Sequence, residues 1–321
     1  MSTSGAQQIR FRCAIAVVGS EDNFQVFTQD TFGRIRETRC RDGKWSGGTE
    51  HDLVRQGILG SPIAAISCPR EGGSDVSSSE DTTSTQVHLY YIGENNVVKE
   101  VIRDKDGKWH EGNLNRQEIK VAPYSMMAAC CHRGRDRTHC RLYVQMPDNN
   151  IQEFGCDDER SGWSQMTKLG RALPGTGLAC LSHSSESHNN SMSIRVFHQS
   201  EDLSLKEKFY DGRNWREGDF SISKALPRTD LAATALDNDS FRVYFIHENN
   251  HVVEMVHEGR KWQRGDFHQQ CVPGSQIAAL ASNGKDRKIR LYFQSGKHVT
   301  AVTEWMYHRE WKETKEALPP A

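Results

Sequence analysis

The chain has 321 residues, with 41 Lys plus Arg against 42 Asp plus Glu, giving a formal net charge of −1. That balance excludes a nucleic-acid binder dependent on bulk phosphate attraction and a membrane-adsorbing basic surface. No apolar run is long enough to cross a bilayer, and residues Met1 to Gln8 hold no hydrophobic signal core.

Six copies of one pattern follow in chain order. The first has a small apolar strand at Ile15-Ala16-Val17, a β-rich strand carrying Gln25, a turn at Asp30-Thr31-Phe32-Gly33, then Glu37 and Trp45. The second runs Ile63-Ala64-Ala65, His88, a turn at Gly93-Glu94-Asn95-Asn96, Glu100 and Trp109. The third has Met127-Ala128-Ala129, Arg141, Pro147-Asp148-Asn149-Asn150, Glu153 and Trp163. The fourth has Leu178-Ala179-Cys180, Arg195, Glu201-Asp202, Glu207 and Trp215. The fifth has Leu231-Ala232-Ala233, Arg242, Glu248-Asn249-Asn250, Glu254 and Trp262. The sixth has Ile277-Ala278-Ala279, Arg290, Glu304 and Trp311.

A repeat of roughly 50 residues built from short β runs indicates a propeller or solenoid. The small strands start 48, 64, 51, 53 and 46 residues apart. The long interval contains a polar, Ser/Thr-rich stretch that cannot bury a core, so a flexible surface insertion is expected at about 69–86. Pro123, Pro174, Pro227 and Pro273 each stand four residues before a small strand, where a residue without an N–H suits strand entry. Ala317-Leu318-Pro319 repeats that approach, and no seventh inner strand follows. The prediction is all-β: one domain over 1–321, a ring of six four-stranded antiparallel blades closed between the N- and C-termini.

Glu37, Glu100, Glu153, Glu207 and Glu254 each stand twelve residues after Gln25, His88, Arg141, Arg195 and Arg242; Glu304 stands fourteen after Arg290, which leaves its register open. Folding each hairpin about its midpoint predicts Arg and Glu directly opposed on one face, with Cβ atoms about 5 Å apart. A cross-strand salt bridge is the plain structural role. A surface pair contributes a median of roughly 0–1 kcal/mol, however, so stability weakly explains its recurrence. Arg donates through a rigid fork and Glu accepts through two oxygens, which together suit vicinal hydroxyls. The Trp column adds a flat apolar wall of the kind a sugar ring stacks on, although Trp alone is more readily read as blade packing.

Nine cysteines, Cys13, Cys40, Cys68, Cys130, Cys131, Cys140, Cys156, Cys180 and Cys271, show no shared spacing and no Cys-x-x-Cys. Reduced core thiols are expected, with Cys180 buried as a small residue and no zinc or redox pair. The 14 histidines show no repeated ligand spacing, so no metal or other cofactor is expected.

The ordered Arg, Glu and Trp columns resemble the fungal fucose-specific lectins of the Aleuria aurantia lectin type. The resemblance runs along the whole chain and is close at Val121-Ala122-Pro123-Tyr124-Ser125, Pro147 to Glu153, and Ala172 to Gly177. It implies a six-bladed propeller, usually a homodimer, that holds L-fucose between neighbouring blades. Arg and Glu would come from one blade and an aromatic from the next. The implied pockets are Arg141 and Glu153 with Trp215, Arg195 and Glu207 with Trp262, Arg242 and Glu254 with Trp311, and Arg290 and Glu304 with Trp45. Trp305 competes with Trp311. Gln25 with Glu37 and Trp109, and His88 with Glu100 and Trp163, depart from the pattern. Gln lacks the charge and the fork, and an imidazole is mostly uncharged at neutral pH, so these two pockets are expected to be degenerate.

The expected function is a non-catalytic, multivalent lectin for fucosylated glycans and glycoproteins. It would be cytosolic or exported non-classically to a cell or spore surface. A propeller scaffold for protein–protein contacts is the alternative. A glycosidase needs a unique pair of carboxylates around one bond, and here the polar residues repeat six-fold.

Overall fold

The computed structural model describes residues 8–20, 22–69, 85–104, 106–134, 137–157, 162–185, 191–258, 261–282, 287–298 and 300–320. Blade 1 consists of β1 (Ile15–Ser20), β2 (Asn23–Gln29), β3 (Arg34–Arg41), β4 (Lys44–Gly47) and β5 (Leu53–Gln56). Blade 2 consists of β6 (Ile63–Pro69), β7 (Thr85–Ile92), β8 (Val98–Arg103) and β9 (Trp109–Glu111). Blade 3 is β10 (Met127–Arg133), β11 (Thr138–Gln145), β12 (Asn150–Cys156) and β13 (Ser164–Arg171). Blade 4 is β14 (Leu178–Ser185), β15 (Ser191–Gln199), β16 (Leu205–Tyr210) and β17 (Trp215–Ile222). Blade 5 is β18 (Leu231–Ala235), β19 (Phe241–His247), β20 (His251–Glu258) and β21 (Lys261–Gln270). Blade 6 is β22 (Ile277–Ala281), β23 (Ile289–Phe293), β24 (Val302–His308) and β25 (Glu310–Leu318).

Each sheet is an antiparallel meander in chain order. Blade 1 differs: its outer strand is split, and β4 and β5 both pair with β3. The inner strands β1, β6, β10, β14, β18 and β22 contact one another in sequence, and β22 meets β1. The ring is therefore closed as expected. Hydrogen bonds span the closure: Arg12 N donates to Gln294 Oε1 at 2.6 Å, and Gln294 Nε2 donates to the Arg10 carbonyl at 3.0 Å.

The inner strands start at the residues the small-strand pattern marks, and they line a central cavity of about 110 Å³. Small side chains belong there because six strands converge on one axis. Cys180 lines this cavity and is only partly buried. The expectation of a buried Cys180 is corrected for that reason: its strand faces the axial cavity. All nine cysteines are free thiols. Of the expected insertion, Pro69, Thr85 and Gln86 belong to strands β6 and β7, and 70–84 lie outside the described residues.

Second strands such as Thr138–Gln145 are buried on both faces, because a blade lies against each. Outermost strands such as Lys261–Gln270 are mostly exposed. The apolar residues sort into six clusters, one per blade interface. Burial between blades thus supplies the core, as in any repeat architecture.

A buried glutamine four residues after the Arg column stitches the interfaces at the rim. Gln145 Nε2 donates to the Asn149 and Leu173 carbonyls at 3.2 and 3.1 Å, and its Oε1 accepts from Gly175 N at 2.8 Å. Gln199 does the same with Leu203, Leu226 and Arg228. The hairpin turns place Asn95, Asn149 and Asn249 in the left-handed region, with φ of 56°, 66° and 61°, which asparagine tolerates better than most residues.

Candidate functional site

The hairpin register differs from direct opposition by two residues. Tyr143 pairs with Glu153 and Arg141 with Gly155. Phe197 pairs with Glu207 and Arg195 with Phe209. The same register holds in every blade, including Tyr292 with Glu304. Arg and Glu therefore share a face on the diagonal, with an aromatic directly opposite the carboxylate. The turn centre lies one residue further along than the midpoint of the Arg–Glu interval, which moves the pairing by two. The loop between β23 and β24 absorbs the two additional residues before Glu304.

The acid–base pairs form in all four Arg blades. Arg195 Nη1 bonds Glu207 Oε1, and Arg290 Nη1 bonds Glu304 Oε1 at 2.9 Å. Arg141 Nε and Arg242 Nε lie 3.6 and 3.7 Å from Oε1 of Glu153 and Glu254. Those two guanidiniums make shorter contacts to a second carboxylate, Arg141 to Asp157 at 2.6 Å and Arg242 to Glu258 at 2.7 Å. Arg290 also faces Asp22 at 3.5 Å.

All six glutamates are buried, none more than 4 % exposed. The premise of a surface ion pair is therefore corrected: the pair sits at the floor of an inter-blade groove. A buried pair can cost as much in desolvation as it returns, so stability explains its recurrence no better than it would at the surface.

Several neighbours fix each carboxylate. Tyr143, Tyr244 and Tyr292 donate their hydroxyls to Glu153, Glu254 and Glu304 at 3.0, 2.9 and 2.7 Å. Burial first, and the adjacent glutamate second, hold these phenols well above their ordinary range, so they remain donors. Glu207 Oε2 accepts from Phe220 N at 3.0 Å, and Glu100 Oε2 from Leu114 N at 3.0 Å. Burial pushes the Glu254 carboxyl up from its ordinary value, against the lowering effects of Tyr244 and Arg242. Asp157 is held below the usual carboxylate range by His139 first, and by Arg141.

The Trp column completes each groove from the next blade. Trp109, Trp163, Trp215, Trp262 and Trp311 pack edge-on against Phe27, Tyr90, Tyr143, Phe197 and Tyr244, with centroids 5.9, 5.8, 6.2, 5.9 and 6.1 Å apart. Trp45 joins Tyr292 in the cluster that closes the ring. An indole of the following blade thus packs on the strand that carries each Arg or its replacement. Trp311 is the indole that meets Tyr244, while Trp305 packs on Phe267 at 5.6 Å. In the Arg195 groove, Trp262 Nε1 and Arg195 Nε are buried without a hydrogen-bond partner among the described residues.

The two departing grooves differ from one another. His88 Nδ1 stands 3.0 Å from Glu100 Oε1, and Trp163 is only 5 % exposed. These residues line a cavity of about 90 Å³ with Cys68, Cys140, Cys156 and Asn113. In the groove of blade 1, Glu37 is not left without a guanidinium. Arg103, from the third strand of blade 2, bonds Glu37 Oε1 through Nη1 at 2.5 Å and Gln25 Oε1 through Nη2 at 3.1 Å. Arg39 grips both oxygens of Glu37 at 2.8 Å.

Sequence reasoning missed three further columns. The aromatic two residues after each Arg was visible as Tyr143, Phe197, Tyr244 and Tyr292 and was absorbed into the β pattern. A third-strand residue three positions after Glu faces the indole, as Tyr210 to Trp215 at 5.4 Å, His257 to Trp262 at 5.1 Å and Tyr307 to Trp311 at 5.4 Å. A glycine three residues after Trp lies against the carboxylate: a Cβ on Gly112, Gly218 or Gly265 would stand 2.2 to 2.4 Å from Glu100, Glu207 or Glu254. The recurring Trp-x-x-Gly was its signal.

Among the described residues, no group of His, Cys, Asp or Glu is arranged to hold a metal ion. A family model described as fungal fucose-specific lectin matches residues 9–321. A fucose-specific lectin of Aspergillus fumigatus is 35 % identical over 335 residues, covering all of both chains. One from Arthroderma benhamiae is 35 % identical, covering 96 % of this chain and 89 % of its own. The structure of SapL1 lectin in complex with alpha methyl fucoside superposes with a TM-score of 0.84 at 30 % identity, covering 99 % of this chain and 100 % of that one. By the family match and these full-length relatives, the chain belongs to the fungal fucose-specific lectins.

Proposed function

We propose that this chain is a non-catalytic, multivalent lectin that binds L-fucose of fucosylated glycans and glycoproteins in inter-blade grooves. Four grooves carry the in-register arginine: Arg141 with Glu153 and Trp215, Arg195 with Glu207 and Trp262, Arg242 with Glu254 and Trp311, and Arg290 with Glu304 and Trp45. The groove of His88, Glu100 and Trp163 binds fucose weakly, because its indole is buried and no guanidinium reaches Glu100 in the contacts described.

The observation that carries this reading lies in the Arg195 groove. A buried carboxylate, a guanidinium with an unpartnered Nε and an indole with an unpartnered N–H converge there. Donors left unsatisfied in a groove are costly unless a ligand oxygen accepts from them. Arg195 is itself held rigid, its guanidinium 4.5 Å from the ring centres of both Phe209 and Phe241. A deoxy-sugar offers what such a groove lacks: hydroxyls that donate and accept, and an apolar face for the indole.

Single grooves of this kind are weak, and several on one rigid ring raise avidity without new contacts. A homodimer would double that number. The test is titration of Arg195→Ala against methyl α-L-fucoside. The stoichiometry should fall by one site per chain with the remaining sites intact; an unchanged stoichiometry would remove Arg195 from the binding site.

A further inference from the structure

The groove between blades 1 and 2 reverses the charge arrangement of three of the four grooves with an in-register arginine. In three of those four, the arginine meets a second carboxylate: Asp157 on Arg141, Glu258 on Arg242 and Asp22 on Arg290. In the blade 1 groove, one buried carboxylate, Glu37, instead meets two guanidiniums, Arg39 and Arg103. The next carboxylates outward are Asp52 and Glu111. Asp52 Oδ2 is taken up by Thr49 N and Oγ1 at 3.0 and 2.6 Å, although its charge also acts on Arg39, and Glu111 faces Arg55 at 3.5 Å. Two guanidiniums thus share one buried carboxylate, while Asp52, still ionised because Thr49 offers it only neutral donors, acts on Arg39 from outside their hydrogen bonds.

The same groove retains the geometry of its neighbours. Arg103 Nη1 bonds Glu37 Oε1, as Arg195 Nη1 bonds Glu207 Oε1 and Arg290 Nη1 bonds Glu304 Oε1. The guanidinium comes from the following blade, because Gln25 is too short and uncharged and serves as its acceptor. Arg103 lies beside the indole, its Cζ 5.6 Å from the Trp109 ring centre, in the column that Tyr210, His257 and Tyr307 occupy elsewhere. Arg39 is 39 % exposed at its side chain, so its charge reaches the mouth of the groove.

We propose that Gln25, Glu37, Arg39, Arg103 and Trp109 form a saccharide site selective for a sugar bearing an anionic substituent, a sulfate or a carboxylate. The site rests on the lectin reading above but differs from it in ligand class. A planar guanidinium fork matches a sulfate or carboxylate in two-point fashion, whereas Asp157, Glu258 and Asp22 repel such groups from three of the other grooves.

The test titrates two probes, methyl α-L-fucoside and its monosulfate ester, against wild type, Arg103→Gln and Arg39→Gln. The ester should show one site per chain whose affinity falls at least five-fold between low and high salt. Each variant should weaken that site tenfold or more beyond any change for the neutral fucoside. Loss of neutral binding as well as ester binding in wild type would refute the lectin reading itself. Neutral binding with no ester site, or an ester site indifferent to both variants, would overturn only the anionic site. A gain of a neutral fucoside site in Arg103→Gln would also overturn it, since Arg103 would then be a plug in the groove and not a ligand group. Melting curves of each variant, and the conservative Arg103→Lys, separate misfolding from lost recognition: Lys keeps the charge without the fork and should recover part of the ester affinity.

Discussion

Glu304 sits directly opposite Tyr292 and accepts its hydroxyl at 2.7 Å, while Arg290 reaches the same oxygen along the diagonal at 2.9 Å. Removing the hydroxyl leaves a buried carboxylate short of one donor. Tyr292→Phe should therefore lower stability by about 1–2 kcal/mol, measured by chemical denaturation. Blades 1 and 4 carry Phe27 and Phe197 at this position, so the ring should still fold. An unchanged unfolding midpoint would show that Arg290, together with Thr314, whose hydroxyl donates to Glu304 Oε2 at 2.6 Å, satisfies Glu304 without the tyrosine.

Gly218 is where the carboxylate of Glu207 needs space. A Cβ there would stand 2.4 Å from the carboxylate carbon, so Gly218→Ala must displace Glu207 or the outer strand. The expected cost is about 1–3 kcal/mol, with loss of the Arg195 groove's share of fucoside binding. Calorimetry and thermal melting read both effects; a variant that melts and binds like the parent would contradict this packing.

Glu254 is protonated more readily than an ordinary glutamate, since burial raises its pKa above 4.5. Only when ionised does it accept through both oxygens and offer a full negative charge in the Arg242 groove. A variant with Arg141→Ala, Arg195→Ala and Arg290→Ala, which isolates that groove, should lose fucoside affinity as pH falls, with a midpoint above 4.5. Affinity that holds steady to below pH 4.5 would show that ionised Glu254 is not the acceptor.

His198 is 3 % exposed, and burial first, with Lys208 second, lowers its pKa from 6.5 to about 4. The unfolded chain then binds more protons than the folded one between those values. The neutral imidazole's stabilisation is complete above pH 6.5 and is lost as pH falls towards 4. The loss is about 3 kcal/mol for this one group. His198→Gln should flatten that slope in denaturation curves taken from pH 7 to 4; a slope equal to wild type would assign the acid sensitivity elsewhere.

The sequence carried the blades and the three polar columns because repetition made them visible. The small strands and the closure after Leu318 followed from spacing, whereas the pairing of each Arg–Glu pair with the next blade's indole came from the resemblance to the fungal lectins. Direct opposition of Arg and Glu did not hold, because the turn centre is set by backbone geometry that interval counting does not contain. The role of Arg103 was hidden for a different reason. It belongs to another blade and another column, so only the packing of blade 2 on blade 1 brings it to Glu37. The glycines under Glu100, Glu207 and Glu254 recur as plainly as the tryptophans, but a missing side chain draws attention only once something is found to occupy its place.

The central claim is that buried glutamate, arginine and the neighbouring indole hold fucose. Calorimetric titration of methyl α-L-fucoside tests it on wild type and on the combined Arg141→Ala, Arg195→Ala, Arg242→Ala and Arg290→Ala variant, with circular dichroism confirming the β fold. About four sites per chain in wild type, one for each arginine-bearing groove, and their loss in the folded variant are predicted. Undiminished stoichiometry in the folded variant would contradict the account.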